Sequence, residues 1–427
     1  MKLWSKEDNL DKKVEKFTVG SDRLDDLHLA KYDVIASIAH AEMLSKCSII
    51  TKDDENNLVD ELKNILKEIQ KGNFTIEDSF EDVHSKIEYL LIKKLGDVGK
   101  KIHTGRSRND QVLVATQLFL KEEINIIKKL VKSLFDILIE KANIYKDKYL
   151  PGYTHLQVAM PSTFGLWFSA YAESLIDDII FLNTALKIND QNPLGSAAGY
   201  GSSIKIDRTY TTKKLGFETL KFNVFAAQMG RGRVEKSVAV ALSSLATTLA
   251  KFSSDICFYM TNELNFVCFP ENFTTGSSIM PHKKNPDVFE LIRAKCNQIK
   301  SVSNQFDLIS SNLTSGYHRD MQLYKGVIIN SIISIKECLE ILSLSLEKVK
   351  VRNNILDDEK YKFINSVDMI NNLIQNENMS FRDAYLKISN SIKEGKFDNI
   401  KTNKQTLIGS IHKLCLDKIQ NKMNNFY

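Results

Sequence analysis

The chain has 427 residues, of which 43% are hydrophobic and 26% charged, with a formal net charge of +5. That length exceeds one ordinary core and suggests two or three domains. The small charge excess makes no case for nucleic acid or a membrane surface as a partner. Six cysteines, at 47, 257, 268, 296, 338 and 415, lie far apart without CxxC or zinc-ligand spacing. Buried reduced thiols are therefore expected, rather than a disulfide frame or a metal site.

At the start, MKLWSKEDNLDKK lacks the apolar core of a signal peptide, and no later run approaches a membrane span. The protein is expected in the cytoplasm. Residues 1–105 read as a helical domain punctuated by Gly72, Gly96 and Gly99. Between Gly105 and Pro151 there is neither Gly nor Pro, and Val112, Ala115, Leu118, Ile124, Ile127, Leu130, Leu134, Leu138 and Ala142 recur at helical spacing. A second such stretch spans Thr163 to Asn189, with Gly165 near its start. The small-residue segment Gly195–Ile206 predicts an irregular crossing. Further breaker-free helices are predicted over Arg233–Phe269 and from Val327 to about Arg352.

Helices this long must bury apolar stripes against one another, which predicts a bundle. The expected fold is all-α, in three helical domains: 1–105, a central long-helix bundle over 106–355, and a small polar domain over 356–427. Val238, Ala241, Leu242, Leu245, Ala246, Leu249 and Phe252 spread apolar surface around much of one helix, which predicts a homo-oligomer with that bundle as its core.

Four polar segments sit at the junctions of these stretches. His103–Asp110 precedes the first long helix; Ser107 and Asp110 have capping-box spacing, while Arg106 and Arg108 beside Asn109 can also form a fork for a carboxylate. Pro151–Gln157 follows that helix as a turn with Thr154, His155 and Gln157. Gly276–Pro286, GSSIMPHKKNP, crowds two serines, two lysines, a histidine and an asparagine into a loop. Its end reads as a helix start, with Asn285 as N-cap, Pro286 as the first helical residue and Asp287 at the positive pole. Ser315–Gln322, with Lys325, is another polar turn. A cationic, hydroxyl-bearing loop beside a helix N-terminus is suited to binding and transforming a carboxylate. No metal-ligand spacing, phosphate loop or nucleophile elbow is present, so neither metal nor cofactor is expected.

GSSIMPHKKNP resembles the signature loop of the fumarase/aspartase superfamily, whose members eliminate fumarate from succinyl-type substrates. HTGRSRNDQV (103–112), PGYTHLQ (151–157) and SGYHRDMQLYK (315–325) are similar to its argininosuccinate lyase branch. The resemblance implies an all-α tetramer whose active sites draw loops from three subunits. It also implies reversible cleavage of argininosuccinate, a small-molecule substrate, to fumarate and arginine through an aci-carboxylate intermediate. On the same basis Ser277 is the base, with Ser278 a lesser candidate, and Lys283 and Asn285 stabilise the intermediate. His155 is the acid or positions the leaving nitrogen, and Glu290 orients or charges it. Ser107, Arg108, Asn109 and Thr154 match carboxylate-binding positions, and Tyr317, Gln322 and Lys325 match those holding the arginine portion.

The sequence departs from the branch in places. Ser5–Asp8 replaces a glycine-rich segment after the N-terminal Trp, and Arg231–Gly232 stands where relatives often carry Arg-Asp. A substrate-binding serine near the start maps onto Ser21 or Asp22. HTGRSRND argues against the sister adenylosuccinate lyases, and intact Ser277, His155, Lys283 and Glu290 argue against a non-catalytic crystallin-like protein.

Overall fold

The computed structural model describes residues 11–399 and 405–427; Trp4 and the Ser5–Asp8 departure lie outside them. It is an all-α protein with a few short strands. Its longest described helices are Arg108–Ile144, Arg233–Tyr259, Phe164–Asn189, Asp22–Lys46 and Tyr324–Glu347. Among the described residues no helix is long and apolar enough to cross a membrane.

Two compact units are each drawn from three stretches of chain. The first comprises Met1–Ile127, Phe181–Ala246 and Gln298–Lys336; the second comprises Lys128–Ile180, Thr247–Asn297 and Glu337–Tyr427. In the first, the helices Asp22–Lys46, Lys52–Gln70 and Val83–Leu95 pack around Val34, Leu44, Leu58, Leu62, Val83, Ile87 and Leu91. Thr51 closes a reciprocal capping box with Asp54 at the start of one of them, and Asp82 caps another by accepting from the Ser85 amide. In the second unit, Trp167 and Tyr171 pack on Phe252 at ring separations of 5.1 and 4.5 Å. Both also donate to the carboxylate of Asp255, at 3.0 and 2.6 Å, which satisfies their polar ends.

Two predicted helices end early. The helix from Arg233 stops at Tyr259, not Phe269, and that from Tyr324 stops at Glu347, not Arg352. Both ends have the same cause: Val267–Cys268 and Lys350–Val351 pair as antiparallel strands. Between the first of these helices and its strand, Asn265 sits at φ 45° and donates its amide to the Thr261 carbonyl at 2.8 Å. The turn read at Pro151–Gln157 is part of a hairpin, with Tyr149–Thr154 paired to Gln157–Thr163. Val238, Ala241, Leu242, Leu245, Ala246, Leu249 and Phe252 are all buried within one chain, so those residues are not the surplus apolar face that the homo-oligomer expectation rested on.

Candidate functional site

Two groups of the singled-out residues form, one in each unit. In the first unit a cleft of about 220 Å³ is lined by Arg108, Asn109, Tyr317, Gln322 and Lys325, together with Asp22, Asp26, Glu81, Asp82, His84, Arg231 and Arg319. Ser107 starts the helix beneath it. Its amide donates to Asp110 Oδ1 at 2.9 Å, and its hydroxyl accepts from the Asn109 amide at 3.3 Å. The other oxygen of Asp110 accepts from the amides of Gly195 and Ala197, at 2.9 and 3.0 Å. The predicted irregular crossing is thereby tied to the predicted helix start.

The two arginines of this segment part company. Arg108 reaches Glu81 at 3.0 Å, Asp82 at 3.3 Å and Ser85 Oγ at 2.9 Å. Arg106 is buried and donates to Ser37 Oγ at 2.9 Å, so only Arg108 and Asn109 face the cleft. Arg319 joins Glu81 at 2.8 Å. Gln322 donates to the carbonyls of Thr18 and Val19, both at 3.0 Å, which latches the Ser315–Gln322 turn to the entry of the first long helical region. Lys325, only 4% exposed, lies 2.5 Å from both Asp22 and Asp26. His84 sits 3.0 Å from Asp33. Burial pulls its imidazole down, but Asp33, Asp82 and Asp26 outweigh burial and hold it above the ordinary histidine value.

Sequence reasoning missed Glu81, Asp82, His84 and Arg319. A signal existed: Glu81–Asp82–Val83–His84–Ser85 sets two carboxylates, a histidine and a serine at a helix start. Gly232 also has a local reason. Its φ is +80°, and an added Cβ would come 2.5 Å from the Tyr324 ring. Its amide donates to Glu235 at 2.7 Å. An aspartate there would meet both obstacles.

In the second unit, His155 and Leu156 form the two-residue tip of the hairpin, between the paired Thr154 and Gln157. Both have positive φ, 53° and 59°, and Leu156 is 77% exposed. Two non-glycine residues in the left-handed region are strained, a state more common at functional sites than elsewhere. Thr154 and His155 are exposed beside Leu156.

The Gly276–Pro286 loop is closed at its base by a bridge, with the Asn285 amide donating to the Thr275 carbonyl at 2.8 Å. The Asn285 side chain turns back to the Gly276 carbonyl at 3.3 Å and to Thr275 Oγ1. It does not cap the following helix, Asp287–Lys300; the Pro286 carbonyl instead accepts from the Phe289 and Glu290 amides. Within the loop, Ser277 Oγ accepts from the amides of Ile279 and Met280 at 3.3 and 3.2 Å. Lys284 pairs with Glu271 at 3.0 Å. Lys283 and Ser278 are exposed, and the Lys283 ammonium has no ion pair among the described residues. Glu290 is exposed in the first turn of the helix, and no hydrogen bond among the described residues joins it to His155.

A lyase family model, Lyase_1, matches residues 5–300. An argininosuccinate lyase of Phocaeicola vulgatus is 51% identical over 422 residues, covering 99% of this chain and 94% of that protein. Another, of Parabacteroides distasonis, is 50% identical over 424 residues, covering 99% and 95%. Among solved structures, EDDS lyase in complex with formate superposes with a TM-score of 0.76 at 18% identity, covering 96% of this chain and 89% of that one, a likeness of fold. An all-α lyase of the fumarase/aspartase type is therefore the class that fold and motifs define. Within it, the chain belongs to the argininosuccinate lyase family.

Proposed function

We propose that the protein reversibly cleaves argininosuccinate to fumarate and L-arginine, the last step of a cytoplasmic arginine synthesis. The observation that carries the chemistry is the setting of Ser277. Its oxygen already accepts two backbone amides in a loop that bears Lys283 and Lys284. A hydroxylate is stabilised by the same donors and by positive charge, so this serine can serve as a base where an ordinary one cannot.

Ser277 takes the proton from the carbon next to the succinyl carboxylate. The electron pair moves into that carboxylate, which becomes a doubly negative aci-form. Lys283 supplies a cation with no ion pair among the described residues, and the Asn285 amide group supplies a donor; together they lower the barrier by several kcal/mol. The pair then returns to form the fumarate double bond as the carbon–nitrogen bond breaks. The departing neutral guanidine is strongly basic and takes a proton, delivered or guided by His155, with Glu290 charging or orienting that imidazole. Ser107, Arg108, Asn109 and Thr154 hold carboxylates; Tyr317, Gln322 and Lys325 hold the arginine portion.

The working form is a homotetramer with sites shared between subunits. Two features support this reading. His155 and Glu290 share no hydrogen bond within one chain, and Val240, Leu291 and Leu344 on the bundle helices are 40%, 61% and 48% exposed. Purified protein given argininosuccinate should release fumarate, followed by ultraviolet absorbance, with nothing else added. Fumarate from adenylosuccinate instead would replace the substrate, and fumarate from neither would overturn the elimination reading.

A further inference from the structure

The segment His103–Asp110 carries more polar groups than the reaction uses. Ser107, Arg108 and Asn109 are assigned to a carboxylate, but Thr104 and Arg106 do not line the cleft. Both reach one helix instead. The Thr104 carbonyl accepts from His40 Nε2 at 2.9 Å, and the Arg106 guanidinium donates to Ser37 Oγ at 2.9 Å. His40 and Ser37 are fully buried and three residues apart on the helix Asp22–Lys46, so they share a face. The same face continues through Asp33, which meets His84 at 3.0 Å.

The two bonds fall on either side of Gly105. That residue takes φ +69°, and an added Cβ would sit 3.1 Å from the Ile206 side chain. A turn centred on a left-handed glycine needs fixing on both flanks if the residues after it are to hold one direction. Downstream, the Ser107 amide donates to Asp110, which also holds the amides of Gly195 and Ala197. Upstream, His40 and Ser37 provide the fixing.

A completely buried polar side chain is unfavourable unless it is spent on a partner. His40 spends one nitrogen on Thr104, and its Nδ1 has no hydrogen bond among the described residues. A carbonyl only accepts, so the proton is on Nε2. Burial, and then the nearby Arg106, push the imidazole down to about 3, against the pull of the Thr104 bond. The ring is therefore neutral at neutral pH and serves as a fixed donor, not as an acid or base.

We propose that His40 and Ser37 are positioning residues: from behind the cleft they fix the turn that presents Ser107, Arg108 and Asn109, and so set the affinity for the carboxylate held there. The inference rests on the carboxylate assignment made above. It requires a loss confined to the carboxylate end, because the arginine end is held by Tyr317, Gln322 and Lys325, and Gln322 is latched separately to Thr18 and Val19.

Full-length wild type, His40→Leu, His40→Gln and Ser37→Ala are titrated calorimetrically with succinate, a dicarboxylate with no leaving group, and with L-arginine. His40→Leu should bind succinate about tenfold more weakly and arginine as wild type does, since a displaced turn costs affinity only where it touches the ligand. His40→Gln, which keeps an N–H donor, should recover most of that loss. Ser37→Ala removes a single oxygen and decides the matter if the leucine variant does not fold; it should weaken succinate binding several-fold and leave arginine unchanged. Wild type that binds no succinate overturns the proposal. So do variants that weaken both ligands alike or neither, and a glutamine variant no better than the leucine one. The expected losses in a protein that releases no fumarate from argininosuccinate would count against the elimination reading alone.

Discussion

In the cleft of the first unit, Arg108, Arg231, Arg319 and Lys325 are each held by a carboxylate of the same unit, and Lys325 is buried. In the Gly276–Pro286 loop of the second, Lys283 and Ser278 stand exposed, and Ser277 accepts from two backbone amides. The first is built as a recognition surface, with side chains fixed before a ligand arrives. The second ties down Asn285 and Lys284 but leaves Lys283 exposed, so that the charge formed during reaction finds a cation not already used.

Substitutions can sharpen or break that contrast. The largest effect is expected from Ser277→Ala, which should lower kcat by about a thousandfold or more while arginine binding stays near wild type. A variant turning over at the parental rate, read by fumarate absorbance, removes Ser277 from the chemistry. Gly232→Ala should destabilise by roughly 2–4 kcal/mol, because it combines a left-handed backbone with overpacking. The clash falls on the Tyr324 ring, 2.5 Å from the new Cβ. Urea unfolding should show a lower midpoint; an unchanged one means that the ring moves aside freely.

Arg108→Lys should raise KM by roughly tenfold with little change in kcat, since an ammonium cannot keep the fork to Glu81, Asp82 and Ser85. If kcat falls instead of KM rising, Arg108 acts in the transition state and the division of labour is wrong. The smallest effect concerns His84. Its value is held above the ordinary one by Asp33, Asp82 and Asp26 against burial. Its contribution to stability is therefore complete below about pH 6.5 and is lost as pH rises through the shifted value. Unfolding midpoints of wild type and His84→Gln should converge across that window; parallel curves would show that His84 is not the group titrating.

The bundle was legible because its long segments hold no Pro and no Gly beyond their first turns, and absence of breakers is a signal that a chain can carry locally. Helix ends were less legible. Tyr259 and Glu347 end helices that give way to a ladder pairing Val267 with Val351, partners far apart in sequence. The hairpin tip was hidden for another reason: His155 and Leu156 take left-handed backbone without the Asn-Gly pattern that announces such a turn. At the site, the motif residues could be found one by one. Their partners Glu81, His84 and Asp26 could not, because each is chosen by packing between distant segments.

The threefold discontinuity of each unit has a consequence for biosynthesis. The first unit cannot close until Lys336 has left the ribosome, because its last stretch is Gln298–Lys336. At ordinary elongation rates the helix Arg108–Ile144, whose Glu123 pairs with Lys336, waits on the order of tens of seconds for that partner. Throughout that interval the apolar flanks of Arg108–Ile144 are open to the wrong neighbours. The nascent chain, more than the finished enzyme, is where this architecture exposes apolar surface.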